Sequence, residues 1–140
     1  MSQSPGILII DRDAIAAAAL QQQLEAQGYA VHHAASGNDA AELLQQQRRT
    51  QADHAVIGVA LIDQDAAGHG LDHMRRLLDE HPRLVPIVTS AFRKVESAVA
   101  AMRLGAADYL LKPIIEAELY AAVQRALRRH LRGGARAGRT

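Results

Sequence analysis

Five short apolar runs, each followed by a stretch with helical spacing, set the tightest limit on what this chain can fold into. GILIID (6–11) is continuous and ends in acid, and HAVIGVALID (54–63) is the longest run, rich in branched residues and too short for a well-supported helix. VPIVTS (85–90) reads as another strand, and DYLLK (108–112) as a short one stopped by Pro113. YAVHHA (29–34) alternates only weakly, as a strand near a sheet edge does. Between them, residues 14–27 carry the helical pair Leu20 and Leu24 and close on Gly28. SGNDAAELLQQQRR (36–49) opens with a polar capping stretch and spaces Ala40, Leu43 and Leu44 helically. GLDHMRRLLDEH (70–81) is helical. Residues 95–104 set Val95, Val99 and Met102 on one face before Gly105, and 115–131 form a last amphipathic helix.

Five strand–helix units in succession imply an α/β fold. Parallel strands need right-handed crossovers, and the crossover helices then cover both sheet faces. Strands one, three and four are apolar at every position, as burial on both faces requires. The expected architecture is a five-stranded doubly wound parallel sheet of order 2-1-3-4-5, flavodoxin-like, with helices on both faces. A length of 140 residues suits one such domain. The absence of cysteine excludes disulfides, thiolate metal sites and cysteine nucleophiles. No apolar run approaches the roughly 18 residues of a membrane span, and MSQSPG lacks the pattern of a signal peptide, so a cytoplasmic domain with no membrane partner is expected.

In this sheet order the functional crevice lies beyond the carboxyl ends of the strands, where the order reverses between strands one and three. Strand one is expected to end at Asp11, strand three at Asp63, strand four at Thr89–Ser90 and strand five at Lys112. Two carboxylates, a hydroxyl and an ammonium would then share one edge. Carboxylates and water suit Mg²⁺, a carboxylate can attack phosphorus to give an acyl phosphate, and a lysine can neutralise the transferring group. The constellation reads as a phosphoryl-accepting site.

On these residues the chain resembles the receiver domain of two-component response regulators. The resemblance covers about residues 6–130 and rests on ILIID, GlyTyr at 28–29, SerGly at 36–37, the LID ending at Asp63, SerAla at 90–91 and AVAAMRLGAADYLLKP at 98–113. It implies a receiver domain over 1–131 and a basic tail or linker over 132–140. It implies Asp63 as phosphoacceptor, Asp11 in an acidic Mg²⁺ pocket, and a ligand from the Asp65 carbonyl. Ser90 would bond the phosphoryl group, Tyr109 would be the aromatic switch and Lys112 the pocket's lysine. The implied partners are a histidine kinase or phosphotransfer protein, with a homodimer and a DNA-binding or ATPase output domain also open. The implied role is a signalling module rather than an enzyme.

The chain departs from that pattern in places. Arg12 stands where the family has a second acid, and Asp13 is the candidate to compensate. Arg12 could pair with Asp63 or turn to solvent. The stretch from Asp63 to Gly70 is one residue shorter than usual and lacks proline, and the connection from Arg48 to Ile57 is longer. A register with Gly58 at the acceptor position is disfavoured, because it leaves the apolar-to-acid end of the strand unexplained. These departures give a second reading: a degenerate receiver binding partners without phosphorylation. Two further readings need other features. His69 and His73, four apart and flanked by Asp63, Asp65 and Asp72, have zinc-binding spacing but lack the protease glutamate. The tail holds six arginines from Arg125 to Arg139 and no acid, a charge pattern for nucleic acid, though without an aromatic to stack on bases.

Overall fold

The branched and leucine-rich runs form five parallel strands: β1 (Gly6–Ile10), β2 (Val31–Ala34), β3 (Ile57–Asp63), β4 (Val85–Ser90) and β5 (Asp108–Leu111). Helices α1 (Ala14–Ala26), α2 (Gly37–Arg49), α3 (Gly70–Glu80), α4 (Val95–Leu104) and α5 (Glu116–Leu131) alternate with them. The computed structural model describes residues 5–49, 56–65 and 70–134. The sheet order is β2-β1-β3-β4-β5, with β2 at one edge as its weak alternation suggested.

Because side chains alternate across a strand, each run supplies both faces. Ile7, Ile9, Val59, Leu61 and Ile87 meet α1 and α5 through Leu20, Leu24, Leu119 and Val123. Leu8, Ile10, Ala60, Ile62 and Val88 meet α2, α3 and α4 through Ala40, Leu44, Met74, Leu78 and Ala101. Every residue of β1, β3 and β4 is buried. At the expected stop of α1, Gly28 (φ +93) lets its N–H reach the Glu25 carbonyl while the Tyr29 N–H reaches Leu24. This is the paired closure a left-handed glycine permits.

Three details differ from expectation. β1 and β5 each end one residue earlier, so Asp11 and Lys112 begin the turns that follow them. Gly6 pairs with Ile57 but Ile7 with Val59, so Gly58 is an extra residue bulging from β3. The face of Val95, Val99 and Met102 points to solvent, at 76%, 42% and 41% exposure. α4 instead packs through Ala101 and Leu104.

Candidate functional site

The carboxyl ends of β1 and β3 lie side by side, Ile10 pairing with Ile62, so the next residues along each chain, Asp11 and Asp63, emerge together. Both are almost closed to water, at 2% and 7% exposure. Lys112 follows β5 and reaches back between them. Its Nζ donates to Asp11 Oδ2 at 3.3 Å and to Asp63 Oδ1 at 3.2 Å. The Lys112 N–H also bonds the Ser90 carbonyl at 2.8 Å, which ties the lysine's backbone to the end of β4. A cis peptide joins Lys112 to Pro113.

The electrostatics are unbalanced, with two carboxylates facing one ammonium. Burial, with the Asp11 charge adding to it, pushes the Asp63 carboxyl above its ordinary range, against the pull of the Asp65 N–H and Lys112. For Lys112, burial works against the charge, but bonding and attraction to Asp63 and then Asp11 carry it above its ordinary range. The pair therefore suits the lysine better than it suits Asp63.

Asp11 and Asp63 differ in how their oxygens are committed. Asp11 uses both: Oδ1 accepts the Asp13 N–H at 2.9 Å and Oδ2 faces Lys112. On Asp63, the Asp65 N–H (3.1 Å) and Lys112 both go to Oδ1, and no hydrogen bond among the described residues reaches Oδ2. That oxygen is free to act as a nucleophile.

The other charged residues of the first turn point elsewhere. The Asp13 carboxylate caps α1, accepting from the Ile15 and Ala16 N–H groups at 3.0 and 3.1 Å. Arg12 is exposed and makes no ion pair among the described residues. Among the described residues no three His, Asp or Glu side chains converge to cage a metal. The pair of Asp11 and Asp63 nevertheless fits Mg²⁺. That ion retains several waters and needs only one or two protein carboxylates, and a divalent charge would answer the excess negative charge here.

A family model described as the response regulator receiver domain matches residues 7–124. The chain belongs to this family. As a receiver domain it is 33% identical over 121 residues to the transcriptional regulatory protein ZraR of Salmonella typhimurium, spanning 86% of this chain and 26% of that protein. It is 35% identical over 127 residues to the transcriptional regulatory protein PrrA of Mycobacterium leprae, spanning 90% of this chain and 51% of that one. The receiver thus covers between a quarter and about half of these relatives. A CheY-like response regulator receiver domain protein from Methanospirillum hungatei superposes with a TM-score of 0.79 at 22% identity, covering 94% of this chain and 100% of that one.

The structure brings Asp11, Asp63, Ser90 and Lys112 to one edge of the receiver. Tyr109 lies half-buried on the side of α2, α3 and α4, its hydroxyl enclosed without a hydrogen-bond partner among the described residues. Asp65 holds a surprise. Only its carbonyl was expected to matter, yet its carboxylate bonds Ser90 Oγ at 3.0 Å and the Ala91 N–H at 2.7 Å. His33 was not singled out at all, and its Nε2 lies 2.8 Å from the Asp11 carbonyl. A polar residue on an edge strand opposite the switch point was the available signal. His69 and the last six residues of the tail lie outside the described residues. His73 packs against Gly37 of α2, where a Cβ would come within 2.2 Å of its ring. No helix among the described residues is long and apolar enough to cross a membrane.

Proposed function

We propose that this receiver takes a phosphoryl group onto Asp63 Oδ2 from the phosphohistidine of a histidine kinase or phosphotransfer protein, and that the new charge changes how its surface meets a partner or output domain. The carrying observation is that Asp63 is the buried acid with an uncommitted oxygen, held beside a lysine at the switch point of the sheet. In the transfer, Asp63 Oδ2 forms an O–P bond as the donor's P–N bond breaks, and the electron pair leaves on the imidazole nitrogen. Lys112 orients Oδ1 and balances charge on the incoming group. Asp11 and Asp63, with the Asp65 carbonyl, would hold Mg²⁺, which when bound neutralises phosphoryl charge. Ser90 and Tyr109 then report the modification, Ser90 by bonding a phosphoryl oxygen and Tyr109 by repacking, which biases two pre-existing surface conformations.

The test is intact mass spectrometry after incubation with acetyl phosphate and Mg²⁺. A phosphoryl adduct is expected on the wild-type chain and none on Asp63→Asn; an equal adduct on both would overturn the assignment. The outward Arg12 and the capping role of Asp13 favour a second reading, in which the domain binds its partner without phosphorylation. Absence of both a phosphoryl adduct and Mg²⁺ binding at tens of millimolar would select it. The names of the relatives extend either reading to control of transcription through a further domain.

A further inference from the structure

Ser90 Oγ and the Ala91 N–H, on adjacent residues, are aimed at a single anion, and each meets a different oxygen of the Asp65 carboxylate. Ser90 has anchors besides Asp65. Ser90 is fixed by pairing with Leu111 and by the Lys112 N–H on its carbonyl, and its Oγ accepts the Phe92 N–H at 3.0 Å. The turn after β4 is therefore a preformed oxyanion cradle, with a hydroxyl and a backbone amide pointing the same way. Asp63 pairs with Thr89, the residue just before this cradle, and the Gln64 N–H bonds the Thr89 carbonyl at 2.9 Å. A phosphoryl group on Asp63 would arrive beside donors already occupied by a carboxylate.

We propose that the Asp65 carboxylate is a built-in stand-in for the phosphoryl oxygens, which must leave Ser90 and Ala91 before Asp63 can be modified productively. This rests on the reading of Asp63 as the phosphoacceptor and adds a positioning residue that sets the rate. The side chain has somewhere to go. A cavity of about 290 Å³ opens beside it, and its lining includes Ser90, Lys94, Ser97 and a second carboxylate, Asp72. Lys94, whose ammonium lies 5.9 Å from the centre of the Phe92 ring, offers the displaced carboxylate a cation that also offsets Asp72, and Ser97 offers a hydroxyl. Replacing the side chain leaves the Asp65 carbonyl and N–H in place, so the carbonyl proposed as a metal ligand and the bond to Asp63 Oδ1 are retained.

The experiment uses the full chain with phosphoramidate and Mg²⁺, and follows labelling by intact mass. In that transfer the O–P bond to Asp63 forms as the P–N bond breaks and nitrogen leaves as ammonia. Four proteins are compared: wild type, Asp65→Ala, Asp65→Asn and Asp63→Asn. Asp65→Ala empties the cradle and is expected to label about tenfold faster than wild type, the scale of a charge-assisted hydrogen bond that no longer has to break. Asp65→Asn keeps one acceptor oxygen without the charge, and its rate is expected to lie between the two. In amide spectra the Ala91 N–H should move upfield in Asp65→Ala and less in Asp65→Asn, a shift that a purely structural role would not grade in this order.

Equal acceleration in Asp65→Ala and Asp65→Asn would overturn the proposal in favour of simple charge repulsion. So would labelling of Asp65→Ala no faster than wild type. No label on any of the four would overturn the phosphoacceptor reading itself, and this proposal with it. A label on wild type that Asp63→Asn lacks keeps the two failures apart.

Discussion

Lys112→Met removes the one cation between two buried carboxylates while keeping most of the side chain's bulk. Nζ lies 3.3 Å from Asp11 and 3.2 Å from Asp63, so at an effective dielectric constant of about 20 each attraction is worth about 5 kcal/mol before desolvation. Burial of the three charges cancels most of that. Breaking such a pair by deleting one partner costs about 3–5 kcal/mol, because the remaining charge stays buried and unanswered. The Lys112 side chain is a quarter exposed, which places the expected loss at the lower end, about 3 kcal/mol at neutral pH. The chain has no tryptophan, so urea unfolding is best followed by far-UV circular dichroism. The pH dependence has a definite sign. The folded value of Lys112 is raised above the ordinary 10.5, so its stabilisation is present throughout the neutral range and is lost only as the pH rises through that folded value. The folded value of Asp63 is raised above the ordinary 3.8, so on its account stability falls as the pH rises through it. In Lys112→Met that second effect stands without its counterweight. The deficit should therefore shrink as the pH falls toward 4, where a proton replaces the missing cation. Millimolar Mg²⁺ should also shrink it by binding the same carboxylates, and should stabilise the variant more than it does wild type. A variant within about 1 kcal/mol of wild type at pH 7, with no greater response to Mg²⁺, would refute the view that Lys112 balances this pair.

Two further perturbations test the frame around the site. Gly58→Ala sets a Cβ 2.7 Å from His130 Cδ2 and 2.9 Å from Pro5 Cβ, while His130 is buried and its Nδ1 lies 2.8 Å from the Arg83 carbonyl. Crowding plus a weakened hydrogen bond should cost about 2–4 kcal/mol in urea unfolding, and His130→Ala in the same chain should make the glycine change less costly. Asp13→Ala should cost about 1 kcal/mol by uncapping α1, and Asp13→Asn much less; equal losses for the two would show that charge, not the accepted hydrogen bonds, is what matters there.

Most of the architecture was legible because burial on two faces leaves a plain mark: a run such as IGVALI (57–62) has no polar position to interrupt it. Asp11, Asp63 and Lys112 were legible for a related reason, since polar residues that end buried strands must share the one edge where the sheet opens. Gly58 was not. Within a run that is apolar throughout, an extra residue leaves no break in pattern, and the bulge shows only in the pairing of Gly6 and Ile7 with β3. The outward face of α4 misled for the opposite reason. Val95, Val99 and Met102 have the spacing of a core stripe, but Ala101 and Leu104 are the residues that pack against the core, and spacing alone cannot say which side wins. The division of labour between Asp11 and Asp13 was also hidden. Both can cap a helix, and the choice depends on which carboxylate lies over the free N–H groups of the first turn.

Asp11, Asp13, Asp63 and Asp65 stand near this edge, and their neighbours sort them by what remains available. Asp13 faces water and serves the α1 terminus. Asp65 has both oxygens engaged by the β4 turn. Asp11 has both engaged as well, by a backbone amide and by Lys112. Only Asp63 combines burial with an oxygen to which no hydrogen bond among the described residues is directed. A buried carboxylate held near a like charge is also a stronger base than an exposed one, since the same forces that raise its proton affinity raise its affinity for other electrophiles. Neutralising Asp63 by attaching a group removes one of two like charges, but a phosphoryl group brings its own. The added charge can be held only if donors are ready for it: Lys112 is one, and on the proposed reading Ser90 and the Ala91 N–H, now occupied by Asp65, are the others. On the reading proposed above, the reactivity of Asp63 and the restraint from Asp65 are two sides of one electrostatic arrangement.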